Sequence, residues 1–272
     1  MKIFGVRNVS PLVVDAILDM DTNISNVDST YKILRIISGK IHVFSSVGEE
    51  IADSGDCIVI NPFETHSLLP ITAEVECSIA YANASLMQRL AVPELEDDSY
   101  PYFILPVFSK KKIETADRND DEIIPCDRKL DINRKLRDII KLAKMSNGLR
   151  FRSTLIPAAV PDPIRKACQF IIDSPNCKVD LSAVPGLVGL SRYHFIRMFS
   201  RSVGLSPRTY MRCIRLSRAR SQVALGLPLA SIATDIGFSD QAHMTREFSI
   251  IYGYTPGQLS RKIFRANKRG DI

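Results

Sequence analysis

The stretches GLSRYHFIRMFS (residues 189–200) and GFSDQAHMTREFS (residues 237–249) decide how this chain is interpreted, because they share one pattern. Each opens with Gly-x-Ser, continues to Arg-x-Phe-Ser, and is followed by a glycine and then a proline. The offset between the copies is 48 residues at the first glycine (189 to 237) and 49 from the arginine onward (197 to 246). Because two copies are too few for a solenoid, the repeat indicates a duplicated unit.

Each copy has the order of a helix-turn-helix unit: a helix, a turn with glycine, a serine that can cap, and a second helix. In the second copy we expect Gly237 to end the first helix, because glycine adopts a left-handed conformation at little cost. Ser191 and Ser239 are predicted to cap the two second helices. Apolar side chains four residues apart share a helix face and should point inward: Phe195 with Phe199, and Met244 with Phe248.

The opposite faces of the second helices carry side chains that suit the major groove of DNA. Arginine can bind guanine and glutamine can bind adenine in bidentate fashion, while isoleucine can meet a thymine methyl. A longer helix between the two units is predicted to begin with a Ser206 cap and Pro207 at its first position. We expect some of its arginines near phosphates, although Arg215 or Arg218 could equally pair with acids or line the core. These arginines are Arg208, Arg212, Arg215, Arg218 and Arg220.

These features resemble the AraC/XylS-type transcription regulators over about residues 162–265, most specifically at Gly237 through Gln241 and at Gly253 through Pro256. The resemblance implies seven helices in two subdomains joined by the long helix, with both second helices entering adjacent major-groove segments on one DNA face. It assigns base contacts to Arg192, Tyr193, Ile196, Arg197, Gln241, Ala242, His243, Thr245 and Arg246. Phosphate contacts are predicted at Ser191, Arg208, Arg212 and Ser239.

The first unit departs from the family pattern at Pro185-Gly186, where the family has residues that favour a helix. If Ser182 caps this helix, Pro185 falls in the first turn, where a missing N–H is tolerated. We therefore expect a short helix that Gly186 weakens.

The charge of the chain is unevenly divided. Residues 1–161 hold 19 Lys+Arg and 23 Asp+Glu, a net of −4, whereas residues 162–272 hold 17 and 7, a net of +10. This asymmetry suggests a polyanion partner for the basic half, and a solvated basic face without a partner is the alternative. No apolar run reaches the roughly eighteen residues of a membrane helix, and the N-terminus lacks the apolar core of a signal peptide. We therefore expect a cytoplasmic chain.

The first hundred residues form short β-rich runs, which are typical of a small barrel or sandwich. Residues 31–37 and 41–44 flank Ser38-Gly39-Lys40 and suggest a hairpin. Gly55-Asp56 followed by INPFETH (residues 60–66) resembles the second half of a cupin motif, over about residues 5–90. The resemblance implies a small-molecule pocket inside the barrel, or a barrel used only for dimerisation.

His66 is the candidate effector contact of this region, against a purely structural role. The candidate metal ligands are His42, Glu64 and His66, without the H-x-H pair of cupin metalloenzymes. A metal site needs a sufficient set of converging ligands. We therefore expect no metal, no cofactor and no catalytic residue. The six cysteines are scattered without a C-x-x-C pair, which argues against a zinc knuckle or a disulfide framework.

From about Lys129 the apolar residues recur at helical spacing and predict an amphipathic helix. This helix either packs only on its own barrel or also supplies a dimer seam. The candidate seam residues are Ile132, Leu136, Ile139 and Ile140.

The sequence thus predicts an α+β chain: a cupin-like β-barrel (1–128), an amphipathic helix and linker (129–161), an all-α domain of two helix-turn-helix units joined by a long helix (162–266) and a tail (267–272). The predicted function is a DNA-binding transcription regulator, an activator that binds double-stranded DNA and recruits RNA polymerase. A small-molecule effector or homodimerisation through the N-terminal domain would control it. The rivals are a cupin-type metalloenzyme with an accessory basic domain, and a protein whose basic repeat binds another protein.

Overall fold

The computed structural model describes residues 5–9, 13–19, 24–91, 99–109, 132–174 and 179–261. The N-terminal part is built mainly from strands and the C-terminal part from helices. The strands are β1 (Gly5–Val9), β2 (Val13–Asp19), β3 (Ile24–Asn26), β4 (Tyr31–Ser38), β5 (Ile41–Ser45), β6 (Gly48–Ala52), β7 (Cys57–Ile60), β8 (His66–Pro70), β9 (Glu74–Ala82), β10 (Tyr100–Phe103), β11 (Val107–Phe108) and β12 (Leu149–Arg152). Within the ranges given above, the helices α1 (Ala84–Ala91) and α2 (Ile132–Met145) accompany them.

The strands form two antiparallel sheets that share a core. One sheet has the order β1-β2-β9-β4-β7-β11 and the other β3-β8-β5-β6, while β10 and β12 pair separately. Burial alternates along β8, because successive side chains of a strand point to opposite faces. Leu34 of the first sheet belongs to the same hydrophobic cluster as Val43 and Leu68 of the second. The predicted α+β fold class, with an N-terminal β-barrel, is confirmed.

The predicted hairpin of residues 31–37 with 41–44 is wrong. β4 pairs with β7 and β9 in the first sheet, whereas β5 pairs with β6 and β8 in the second. The first four residues of β4 are all buried, as expected for a strand covered on both faces. The turn after β4 therefore carries the chain from one sheet to the other instead of closing a hairpin.

Helix α2 packs on its own barrel. Leu136, Ile139 and Ile140 are buried in a cluster that also contains Met87 of α1 and Phe108 of β11. This burial leaves these three side chains no surface for a partner subunit, which corrects their prediction as a dimer seam. The side chain of Ile132 lies outside the described residues.

Strand β12 is a feature that the prediction of a helix and linker over 129–161 did not include. It pairs antiparallel with β10, with Phe103 opposite Leu149. The pairing brings the chain after α2 back to the barrel before it continues into the helices.

The C-terminal helices are α3 (Asp162–Asp173), α4 (Val184–Leu187), α5 (Arg192–Val203), α6 (Pro207–Ala224), α7 (Leu229–Asp235), α8 (Gln241–Tyr252) and α9, the helical residues 256–261. The seven helices that the family resemblance implies are therefore present in the described part of the chain. Ser206 caps α6 by accepting a hydrogen bond from Thr209 N at 3.2 Å, with Pro207 in the first turn, as predicted.

The short helix α4 differs from the prediction at its start. Ala183, whose methyl group cannot accept a hydrogen bond, occupies the N-cap, while the hydroxyl of Ser182, the predicted cap, donates to Asp180 Oδ1 at 2.7 Å. Pro185 lies in the first turn, as expected. The helix has four residues, in agreement with the weakening effect expected of the Pro-Gly pair.

Truncation of a buried residue tests the packing of α2. Leu136→Ala should lower the unfolding free energy of the barrel by about 2–5 kcal/mol, because it removes apolar contacts and leaves a cavity. Met145→Ala is the matched control, since Met145 lies at the end of the same helix and is 42% exposed; its effect should be within about 0.5 kcal/mol. Denaturant unfolding of the full chain measures both. Equal effects of the two variants would contradict this packing.

Candidate nucleic-acid interface

Helix α5 is anchored at both ends and along one face. The Ser191 side chain accepts a hydrogen bond from His194 N at 3.4 Å, so the predicted cap is confirmed. Phe195 and Phe199 are buried, as predicted from their spacing. Gly204 ends the helix with φ 79°, a left-handed conformation that glycine adopts without strain.

Helix α8 repeats this arrangement except at its N-cap. Met244 and Phe248 are buried, and Gly253 ends the helix with φ 74°. Gly237 follows α7 with φ 79°, as predicted. The repeated glycines of the two copies therefore have the same role, since each ends a helix in a left-handed conformation.

The N-cap of α8 is Asp240 and not the predicted Ser239. Asp240 Oδ1 accepts a hydrogen bond from His243 N at 2.7 Å, and this bond lowers the pKa of the Asp240 carboxyl. Ser239 Oγ donates to Asp240 Oδ2 at 3.0 Å and lies 3.1 Å from His243 Nδ1. The extra residue of the second copy supplies a carboxylate cap, and the serine supports that cap.

The remaining faces of α5 and α8 point away from the core. Tyr193 and Ile196 are 76% and 43% exposed, so both side chains are open to solvent. The other exposed members of the predicted set are Arg192, Arg197, Gln241, Ala242 and Arg246, while His243 and Thr245 are partly exposed. The helices thus present all nine side chains on their outward faces, and we call α5 and α8 the reader helices. The contact of these side chains with DNA bases stays a prediction.

The arginines of α6 divide into an exposed residue and several with protein partners. Arg208 is exposed near the start of the helix. Arg212 Nη1 lies 3.0 Å from Glu247 Oε2 of α8, and Arg215 Nη1 donates to Gly237 O at 3.2 Å. These two arginines connect α6 to the second unit, and the phosphate contacts of Arg208 and Arg212 stay predictions.

The other two arginines of α6 face the protein. Arg218 donates to the carbonyls of Ile172 and Ser174 at the end of α3. Arg220 is 4% exposed and lies over the ring of Tyr81, 3.6 Å from its centroid. The expectation that α6 arginines reach phosphates therefore does not hold for Arg220, because the barrel covers it. Because Arg220 follows Arg218 by two residues, the two side chains lie on different faces of the helix. The sequence could therefore separate them, but the burial of Arg220 follows from the position of the barrel.

The cupin-like segment contributes buried polar residues with partners inside the barrel. Lys32 Nζ lies 3.0 Å from His66 Nε2, and His66 Nδ1 lies 3.3 Å from Glu64 O. Burial, with the charge of Lys32, holds the pKa of His66 well below its ordinary value, so the ring is neutral and Nε2 accepts from Lys32. Burial also lowers the pKa of Lys32 to about 8, with Asp28 opposing the shift.

The three candidate metal ligands do not converge. The Glu64 carboxylate accepts from Ser46 Oγ at 2.7 Å and from Asn61 Nδ2 at 2.7 Å. His42 Nε2 instead lies 2.7 Å from Glu49 Oε1. Over the described ranges, no group of three or more His, Cys, Asp or Glu side chains could hold a metal ion.

A cavity of about 330 Å³ lies between the barrel and the C-terminal helices. His66 is one of its lining residues, so the candidate effector contact does reach a cavity. Thr65 Oγ1, also in the lining, is buried and has no hydrogen-bond partner among the residues that the structure describes. Further lining residues include Phe44, Ser46, Arg201 and Tyr210.

Comparison with known proteins agrees with the duplicated helical unit. Residues 186–262 match the family described as a helix-turn-helix domain. The chain is similar to the HTH-type transcriptional regulator YbfI of Bacillus subtilis (strain 168), with 29% identity over 224 residues that cover 79% of this chain and 78% of that protein. It is 28% identical to the arabinose operon regulatory protein of Escherichia coli (strain K12) over 98 residues, 35% of this chain and 34% of that protein.

The whole fold also resembles a solved structure. ToxT from Vibrio cholerae O395 superposes with a TM-score of 0.51 over 93% of this chain and 97% of that chain, at 14% identity. The helical arrangement and these matches define a helix-turn-helix, DNA-binding transcription regulator. Within that class, residues 186–262 carry a helix-turn-helix domain similar to that of AraC-type regulators such as the arabinose operon regulatory protein, as the sequence motifs predicted. None of the helices in the described part of the chain is long and apolar enough to cross a membrane.

The cap of α8 can be tested by comparing neighbouring alanine variants. Asp240→Ala should lower the thermal midpoint of the helical domain, because the N–H of His243 loses its acceptor. Ser239→Ala is the matched control and should have the smaller effect, since its hydroxyl contacts the cap and no backbone N–H of the helix. Thermal unfolding of the full chain, followed by circular dichroism, measures both. A larger effect of Ser239→Ala would restore serine as the cap.

Proposed function

We propose that the chain regulates transcription by reading two adjacent major-groove segments of double-stranded DNA, one with each reader helix. The observation that carries this proposal is the pair of outward faces on α5 and α8, because buried side chains and caps fix both helices in the same way. Arginine, glutamine and an exposed isoleucine on these faces match the donors, acceptors and methyl groups of base edges. The net charge of +10 over residues 162–272 supports contact with phosphates.

The division into domains that we propose keeps the bounds 1–128, 129–161, 162–266 and 267–272. In this arrangement the barrel senses a small molecule, and the helical domain binds DNA. The cavity beside His66 supports the location of the effector, since it is bordered by both parts of the chain. A ToxT structure that resembles this fold holds (E)-4-(8-methylnaphthalen-1-yl)but-3-enoic acid.

We further propose activation through RNA polymerase and a cytoplasmic location. A homodimer would have to use surfaces other than the buried face of α2. Reporter transcription from a promoter that the protein binds measures the direction of regulation: a rise on expression of the chain is expected, and a fall would indicate a repressor.

The metalloenzyme alternative has less support, because His42, Glu64 and His66 have separate partners. Binding of the basic repeat to another protein remains the competitor. If the basic repeat bound an acidic surface of another protein, both reader helices would not need to expose groups that match base edges. In that case the chain would also show no preference for one DNA sequence over another.

Substitutions on the reader helices test base contact. Arg197→Ala and Arg246→Ala should each weaken binding to the cognate site by about 1–3 kcal/mol, because a bidentate arginine contact to guanine is lost. Binding to random DNA should change much less, since phosphate contacts remain. Titrations of the full chain on cognate and random duplexes measure the difference. Arg150→Ala is a control, because Arg150 is an exposed arginine on β12.

The ratio of the affinity for cognate DNA to that for random DNA decides whether Arg197 and Arg246 contact bases. Equal losses on cognate and random DNA for Arg197→Ala and Arg246→Ala would show that these arginines contact only phosphates. A similar loss of site preference for Arg150→Ala would show that general positive charge, and not the reader faces, determines the preference.

A further inference from the structure

One buried carboxylate of the barrel contacts two helices of the DNA-binding domain. Asp28 lies in the segment between β3 and β4 and is 4% exposed. Its Oδ1 accepts hydrogen bonds from Ser217 Oγ at 2.5 Å, Thr30 Oγ1 at 2.7 Å and Thr30 N at 3.0 Å. Its Oδ2 accepts from Tyr252 Oη at 3.2 Å. The carboxylate therefore bonds its own segment, helix α6 and the last residue of α8.

Two buried cations fix the charge of this carboxylate. Burial would raise the pKa of Asp28, but Arg220 and Lys32 nearby, with hydrogen bonds from Ser217 and Thr30, hold it below its ordinary value. Arg220 also donates to Thr30 Oγ1 at 3.3 Å while it lies over the ring of Tyr81. Asp28 is thus an anion at neutral pH, and an anion accepts stronger hydrogen bonds than a neutral group.

The contacts of Ser217 and Tyr252 have a geometric consequence. Ser217 lies in α6, the helix that joins the two units, and its Oγ also accepts from Ser29 N at 3.0 Å. Tyr252 is the last residue of the second reader helix, and its ring packs edge-on against Tyr81 of the barrel at 6.3 Å. Holding both residues restrains the second reader helix relative to α6, and therefore relative to the first unit.

We propose that Asp28 is a positioning residue for DNA recognition, which fixes the separation and angle of the two reader helices from outside the DNA-binding domain. This inference rests on the proposed reading of two groove segments. Its chemical basis is the buried carboxylate with donors from α6 and α8. We call the DNA segment bound by one reader helix a half-element. Loss of a positioning residue should weaken binding to a site with both half-elements at the correct spacing, and it should leave the affinity for a single half-element unchanged.

The test uses three variants of the full chain, each of which removes a part of the contact. Tyr252→Phe and Ser217→Ala each delete one hydroxyl that donates to Asp28, and Asp28→Asn removes the charge. Tyr254→Phe is the matched control, because the buried Tyr254 hydroxyl has no hydrogen-bond partner in the described residues. Glu74→Gln makes the same carboxylate-to-amide change at an exposed barrel position.

The measurement is the affinity of each variant for three duplexes. These are the cognate site, the same site with one base pair inserted between the half-elements, and a single half-element. Wild type, Tyr254→Phe and Glu74→Gln should discriminate against the insertion. In Tyr252→Phe, Ser217→Ala and Asp28→Asn, the ratio of the affinity for the correctly spaced site to that for the site with the insertion should fall about tenfold. This fall corresponds to the loss of one hydrogen bond to a charged group. Their affinity for the single half-element should match that of wild type.

Each outcome separates the inference from the proposed function. Unchanged discrimination in Tyr252→Phe and Ser217→Ala, with wild type discriminating, would overturn the positioning role of Asp28 and leave DNA reading intact. Absence of any site preference in wild type would overturn the proposed function itself. If Asp28→Asn does not fold, the two hydroxyl deletions decide the question, because each leaves both the charges and the apolar packing in place.

Discussion

The two reader helices depend on one constraint, the burial of two large side chains spaced four residues apart on each helix. With 3.6 residues per turn, an inward pair at i and i+4 fixes the rotation of the helix about its own axis. In α5 this pair is Phe195 and Phe199, and in α8 it is Met244 and Phe248. The residues between and beside each pair must then point outward. The outward set that we propose to face DNA is therefore a consequence of core packing, and the inward positions of the two copies coincide for the same reason.

A second level of order concerns how the two units are held together. Arg212 of α6 contacts Glu247, and Arg215 donates to the carbonyl of Gly237. The long helix is therefore bound to the second unit by polar contacts. The barrel adds the buried carboxylate of Asp28, which reaches both α6 and α8. Buried charges are costly without partners, and removing one partner leaves the other uncompensated. The polar cluster therefore ties the relative position of barrel and DNA-binding domain to a small number of hydrogen bonds.

The parts of the fold that depend on local rules could be predicted from the sequence. Helix period, the Gly237 turn and the Ser191 and Ser206 caps involve residues close together in the chain, and each was found as expected. Ser239 was misassigned because serine and aspartate are comparable caps, and only the observed backbone shows which of two adjacent residues occupies the N-cap. The predicted hairpin after β4 was wrong, and so was the assignment of Leu136, Ile139 and Ile140 to a dimer seam, for another reason: strand pairing and the covering of α2 depend on residues far away in sequence.

The Asp28 cluster could not be predicted from the sequence at all. Asp28 and Ser217 are 189 residues apart, and neither belongs to a motif. Arg220 appears in the sequence as one more cation on a basic helix, and its burial follows from the position of the barrel. A polar contact between distant segments leaves no periodic signal, so only the folded structure reveals it.

The most direct test of DNA reading by two helices is selection of genomic fragments by the full chain, followed by titration of recovered and scrambled sites at several salt concentrations. Two reader helices predict an enriched motif with two half-elements about one helical turn apart. If six to ten phosphates are contacted, affinity should fall about 10³–10⁵-fold between 50 and 200 mM salt. A folded chain that enriches no motif, or whose binding barely responds to salt, would contradict the assignment of this basic domain to DNA.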